Sequence, residues 1–103
     1  LIEVAATPAG QIAPRAALMA LAARGVTRIL CEGGGQLAAS LIAETLVDDL
    51  ASYQAGALIG ADGRACLGAL GLTALAQAPR LTLREAHALG ADRFSLWSFP
   101  PLS

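Results

Sequence analysis

Apolar and polar positions divide the chain into short elements separated by glycine and proline. Leu1-Ile2-Glu3-Val4-Ala5 is a brief apolar run stopped by Thr7-Pro8 and Gly10, which predicts a strand followed by a turn. Pro14 suits a first helical position, Leu18, Leu21 and Ala22 recur at helical spacing, and Gly25 supplies a C-terminal stop. Val26 to Cys31 is a β-branched apolar run that follows at once. Strand, helix and strand then make a βαβ unit, with parallel strands and a right-handed crossover.

Gly33-Gly34-Gly35 breaks that second strand, and Leu37, Ser40, Leu41 and Glu44 fall at helical spacings over Gln36 to Leu46. The triplet is thus a strand-to-helix turn. Val47 to Ala55 reads as a third strand, entered through Asp48 and Asp49 and ended at Gly56. Residues 56–79 hold five glycines and an Asp62-Gly63 turn signal without a clear period, so loops with a short helical piece are expected. Leu81 and Leu83 alternate with Thr82 and Arg84, Phe94 and Leu96 with Ser95 and Trp97, and Gly90-Ala91-Asp92 joins the two segments. They predict a terminal antiparallel hairpin.

Composition changes the picture in one respect. The chain of 103 residues is 55% hydrophobic and only 15% charged, well below the charge of an ordinary soluble domain. One core is available at this length, and two helices cannot cover both faces of five strands. More sheet or a partner is implied, and a homodimer is the expectation. The longest purely apolar run, Ala16 to Ala23, is eight residues, against the roughly 20 of a membrane-spanning helix. The seven basic residues, all arginine, are scattered from Arg15 to Arg93, which argues against a nucleic-acid footprint. Cys31 and Cys66 have neither metal spacing nor the density of a secreted scaffold, so a reduced, cytoplasmic setting is expected. The start at Leu1, inside an apolar run, suggests an excised fragment.

The candidate chemistry lies in Cys31-Glu32-Gly33-Gly34-Gly35-Gln36, where the carboxyl end of a parallel strand meets a helix N-terminus. Glycines there let a ligand approach the backbone, and free N–H groups with the positive end of the helix dipole suit a phosphate. Three consecutive glycines match neither a dinucleotide fingerprint nor a P-loop, so a ligand cradle and a simple tight turn both stand on the residues alone. Elsewhere structural roles are expected. Asp48 and Asp49 are adjacent strand residues that point to opposite faces. His87 has no ligand partner at metal spacing, and no metal site is expected. Cys31 reads as a small apolar packing residue, and Tyr53 and Trp97 as core or interface aromatics. Arg64 is the basic residue whose loop position suits a phosphate.

Ile29-Leu30-Cys31-Glu32-Gly33-Gly34-Gly35-Gln36-Leu37-Ala38-Ala39-Ser40-Leu41, followed by Leu46-Val47-Asp48-Asp49-Leu50, resembles the hallmark stretch of the RibD C-terminal family. These are dihydrofolate-reductase-like reductases of riboflavin biosynthesis, commonly fused to a zinc deaminase. A looser match runs over Leu18 to Gly25, Ala57-Leu58-Ile59-Gly60 and Asp92-Arg93-Phe94. The resemblance implies a three-layer α/β/α fold with a mainly parallel sheet and a C-terminal antiparallel hairpin. Residues 1–103 would form the C-terminal portion of that domain. It further implies that Glu32 touches the substrate and that Gly34, Gly35, Gln36, Leu37, Ala38, Ala39 and Ser40 bind NADPH. The reaction implied is reduction of 5-amino-6-(5-phosphoribosylamino)uracil to its ribitylamino form, with no residue of this chain assigned as catalytic. Two alternatives are a reductase of the same fold acting on another pterin-like or pyrimidine substrate, and a non-catalytic oligomerisation fragment.

Overall fold

A computed structural model of the chain describes residue 4, residues 6–8 and residues 10–101. They fall into two compact units, Leu1–Leu46 with Cys66–Leu70, and Val47–Ala65 with Gly71–Ser103.

In the first unit Pro14 opens helix α1 (Pro14–Ala23), where its fixed φ suits the helix and its missing N–H leaves no bond unmade. Gly25 ends it with φ of 90°: Gly25 N–H bonds to Ala22 C=O and Val26 N–H to Leu21 C=O. Helix α2 (Gly35–Ala43) ends by the same pair of bonds, Thr45 N–H to Ile42 C=O and Leu46 N–H to Leu41 C=O. Here the left-handed residue is Thr45, with φ of 57°, an uncommon conformation for a β-branched side chain. The helix therefore stops three residues short of the expected Leu46. α1 packs against α2. Arg15 donates from Nη2 to the Glu44 carbonyl at 3.3 Å, setting a cation on the negative end of α2. The core of this unit is Ala39 and Ile42, one helical turn apart on α2 and the two buried hydrophobic residues among those described.

Of two expectations about this unit, one falls on residues outside those described and the other is met only in part. The first strand, Leu1 to Ala5, lies outside the described residues except for Val4; beyond it an isolated antiparallel bridge joins Ala6 to Ile12 around the Thr7–Gly10 turn. Val26 to Cys31 pairs with no strand among the described residues, and Ile29 and Leu30 are 53% and 80% exposed. Among the described residues the expected parallel βαβ ladder is not seen, and the strand expected to complete it lies outside them except for Val4. A β-branched run keeps an extended backbone by itself, but a strand is completed only by a hydrogen-bonded neighbour.

The second unit holds a three-stranded sheet in the order β1-β3-β2, built from β1 (Asp49–Gln54), β2 (Thr82–Leu89) and β3 (Asp92–Ser98). Both of its pairings are antiparallel, where a mainly parallel sheet was expected. The terminal hairpin is present as expected. Leu89 faces Asp92, so Gly90 and Ala91 form a two-residue loop, and Gly90 with φ of 60° takes the first central position as a type II′ turn requires. The regular alternation expected after Leu81 is broken between Leu83, opposite Trp97, and Glu85, opposite the adjacent Leu96. Arg84 is the extra residue of this bulge, and its guanidinium lies 3.3 Å from Ser98 Oγ and 3.8 Å from Asp49 Oδ1. Ser98 Oγ donates to the same carboxylate at 2.9 Å, so Asp49 has the structural role expected of it. Asp48 contributes its carbonyl, which accepts from Phe99 N–H at 2.9 Å.

Tyr53, Phe94 and His87 form a row across the three strands, with ring centroids 5.0 Å and 5.3 Å apart. Tyr53 is exposed and is not a core residue of this chain, whereas Trp97 is half-buried and donates from Nε1 to Ser95 Oγ at 3.1 Å. The long segment between β1 and β2 carries two short 3₁₀ turns, Gly60–Asp62 and Leu75–Gln77. The second is tied back through Gln77 Oε1, which accepts from Thr73 N–H at 2.8 Å and from Thr73 Oγ1 at 3.1 Å. No helix is long and apolar enough to cross a membrane among the described residues.

Candidate functional site: the glycine turn at the start of α2

The three glycines before and at the start of α2 differ in what surrounds them. A Cβ on Gly33 would lie 2.8 Å from Leu37 Cδ2, the far end of a flexible side chain that can swing away. A Cβ on Gly35 would lie 2.8 Å from the Cys66 carbonyl oxygen, 3.1 Å from the Cys66 carbonyl carbon and 3.3 Å from Gly68 N, all backbone atoms. At Gly34 an added Cβ meets nothing within 4 Å among the described residues. Gly34 also has φ of −63° and ψ of 171°, an extended conformation open to any residue. Neither backbone strain nor internal packing requires a glycine at position 34. The open space it leaves is available to something outside the chain.

Gly34 is the N-cap of α2, without a side-chain capping bond and without an acidic residue in the first turn. The first N–H groups of any helix lack intrahelical partners, and here no side chain satisfies them. Together with the positive end of the helix dipole they form a site suited to an anion. Glu32 lies just before the turn, exposed, without an ion pair or side-chain hydrogen bond among the described residues. A carboxylate so near repels a phosphate, so its natural partner is a hydroxyl or a developing positive charge instead.

The other expected cofactor residues separate by exposure. Gln36, Leu37 and Ser40 are exposed, Ala38 is half-buried, and Ala39 is in the core, where only its backbone is available to a ligand. Ser40 Oγ donates to the Gln36 carbonyl at 3.0 Å, which leaves its lone pairs free to accept. Gln36, Ala39, Ser40 and Ala43 line one side of an open groove of about 420 Å³, with Gly68, Ala69 and Leu70 on the other. The 66–70 segment was read from the sequence only as part of a loop. Its signal was Gly68 within a long glycine-bearing stretch without a period, a pattern that does not say which element the glycine approaches.

Arg64 is exposed and belongs to the second unit, as does His87, whose Nδ1 lies 3.4 Å from Glu85 Oε1. Among the described residues no three His, Cys, Asp or Glu side chains gather as a metal site. Cys31 and Cys66 are free thiols and both exposed, so Cys31 is not the packed interior residue expected of it.

The start of α2 is thus an uncapped, glycine-bounded helix N-terminus with a carboxylate just before it. The chain belongs to the RibD C-terminal domain family, whose model matches residues 2–94. It is 36% identical over 75 residues to the riboflavin biosynthesis protein RibD of Escherichia coli strain K12, which covers 73% of this chain and 20% of that protein. It is 33% identical over 81 residues to the RibD of Chlamydia pneumoniae, covering 79% of this chain and 21% of that protein. Two solved forms of Acinetobacter baumannii RibD superpose with TM-scores of 0.76 and 0.75, each at 26% identity. The matches cover 87% and 88% of this chain and 26% of each solved chain. The chain thus spans about one fifth of the length of the curated relatives it matches.

Proposed function

We propose that this chain is the C-terminal portion of a reductase domain that uses NADPH to convert 5-amino-6-(5-phosphoribosylamino)uracil into its ribitylamino product in riboflavin biosynthesis. The observation that carries the reading is Gly34, a glycine in an ordinary conformation beside open space at an uncapped helix N-terminus. The family and the names of the relatives support the pathway. The residues present fit a dinucleotide: the N–H groups of the first turn of α2 would hold a phosphate, and Ser40 Oγ and the Gln36 side chain would accept or donate to sugar and amide groups along the groove. When bound, NADPH supplies the hydride. The chain's own part would be to hold the cofactor and help orient the sugar carbon to be reduced.

Glu32 would accept from a substrate sugar hydroxyl or stabilise positive charge developing at the reacting carbon, a role its exposed position just before the turn supports. Glu32→Gln keeps the size and removes the charge. In the full-length protein it is expected to lower the rate of substrate-dependent NADPH oxidation by about tenfold or more, in line with removal of one electrostatic contact. A loss below tenfold sets both roles aside.

Residues outside these 103 are proposed to complete the sheet, supplying the parallel neighbours of Val26 to Cys31, the three-layer arrangement and the remaining substrate and cofactor contacts. The thin core and the exposure of Ile29 and Leu30 support this. The isolated chain is accordingly expected to be inactive. A cytoplasmic setting suits two free thiols. A homodimer is proposed from the exposed apolar side chains of Leu58, Ile59 and Leu75. Light scattering on the full-length protein is expected to give twice the chain mass, and a monomer mass would remove the proposal.

A further inference from the structure

We draw no further inference here: the strongest candidate, the row of Tyr53, Phe94 and His87 across one face of the three-stranded sheet, is an unpartnered face, and nothing among the described residues shows what covers it.

Discussion

Gly34→Ala is expected to leave the fold intact and to weaken NADPH binding by about tenfold to a hundredfold. The fold is spared because φ of −63° and ψ of 171° suit alanine and an added Cβ meets nothing within 4 Å among the described residues. The gain of about 0.4–1 kcal/mol through the unfolded chain is offset by alanine's poorer fit at a helix N-cap, so stability changes little. Binding suffers because the methyl enters the space a phosphate must occupy to reach the N–H groups of the first helical turn. Pushing it back weakens hydrogen bonds to a charged group, worth about 1.5–3 kcal/mol each, which corresponds to the stated range. Calorimetric titration with NADPH beside a thermal melt measures both halves. An alanine variant that binds as the wild type does would show that no ligand approaches this position.

Gly35→Ala is expected to do the reverse, losing stability first and affinity as a result. Its Cβ would lie 2.8 Å from the Cys66 carbonyl oxygen and 3.1 Å from the carbonyl carbon, and backbone atoms cannot rotate away as a side chain can. Either the 66–70 segment lifts off or the start of α2 shifts, and both break the Gly68 N–H to Gly35 C=O bond. Overpacking of this kind costs about 1–3 kcal/mol, to which the lost hydrogen bond adds about 0.5–1.5 kcal/mol. Alanine's better helix propensity returns up to about 1 kcal/mol. The net is a destabilisation of about 0.5–4.5 kcal/mol, read from the midpoint of a urea titration of the full-length protein. A variant as stable as the wild type would mean that the segment does not rest on α2.

These neighbouring glycines make the same letter in the sequence mean different things. Gly34 and Gly35 are indistinguishable as residues in a triplet, and only the loop from residues 66–70 separates them. A glycine can answer a turn, a neighbour or a ligand, and the sequence records the permission without the reason. The same limit applies to helix ends. Gly25 was legible as the stop of α1, whereas Thr45 performs the same left-handed turn for α2 without a recognisable signal, which is why that helix reads three residues too long. The bulge at Arg84 was also hidden, because alternation in a short strand looks regular until the partner strand shows where one residue is skipped.

The sequence by itself determined the helix that begins at Pro14, the helix start at the Gly33-Gly34-Gly35 turn, the hairpin around Gly90-Ala91 and membership of the RibD C-terminal domain family. Each of these depends on residues close together in the chain: a proline with a fixed φ, a glycine in a two-residue turn, a contiguous motif. What only the tertiary structure decided depends on residues far apart. Antiparallel pairing of β1 with β3, the absence of a ladder partner for Val26 to Cys31 among the described residues, and the seating of Gly68 on Gly35 are of this kind. Contacts between distant segments are set by which backbone groups find each other once the chain is closed, and no local pattern of side chains encodes that choice.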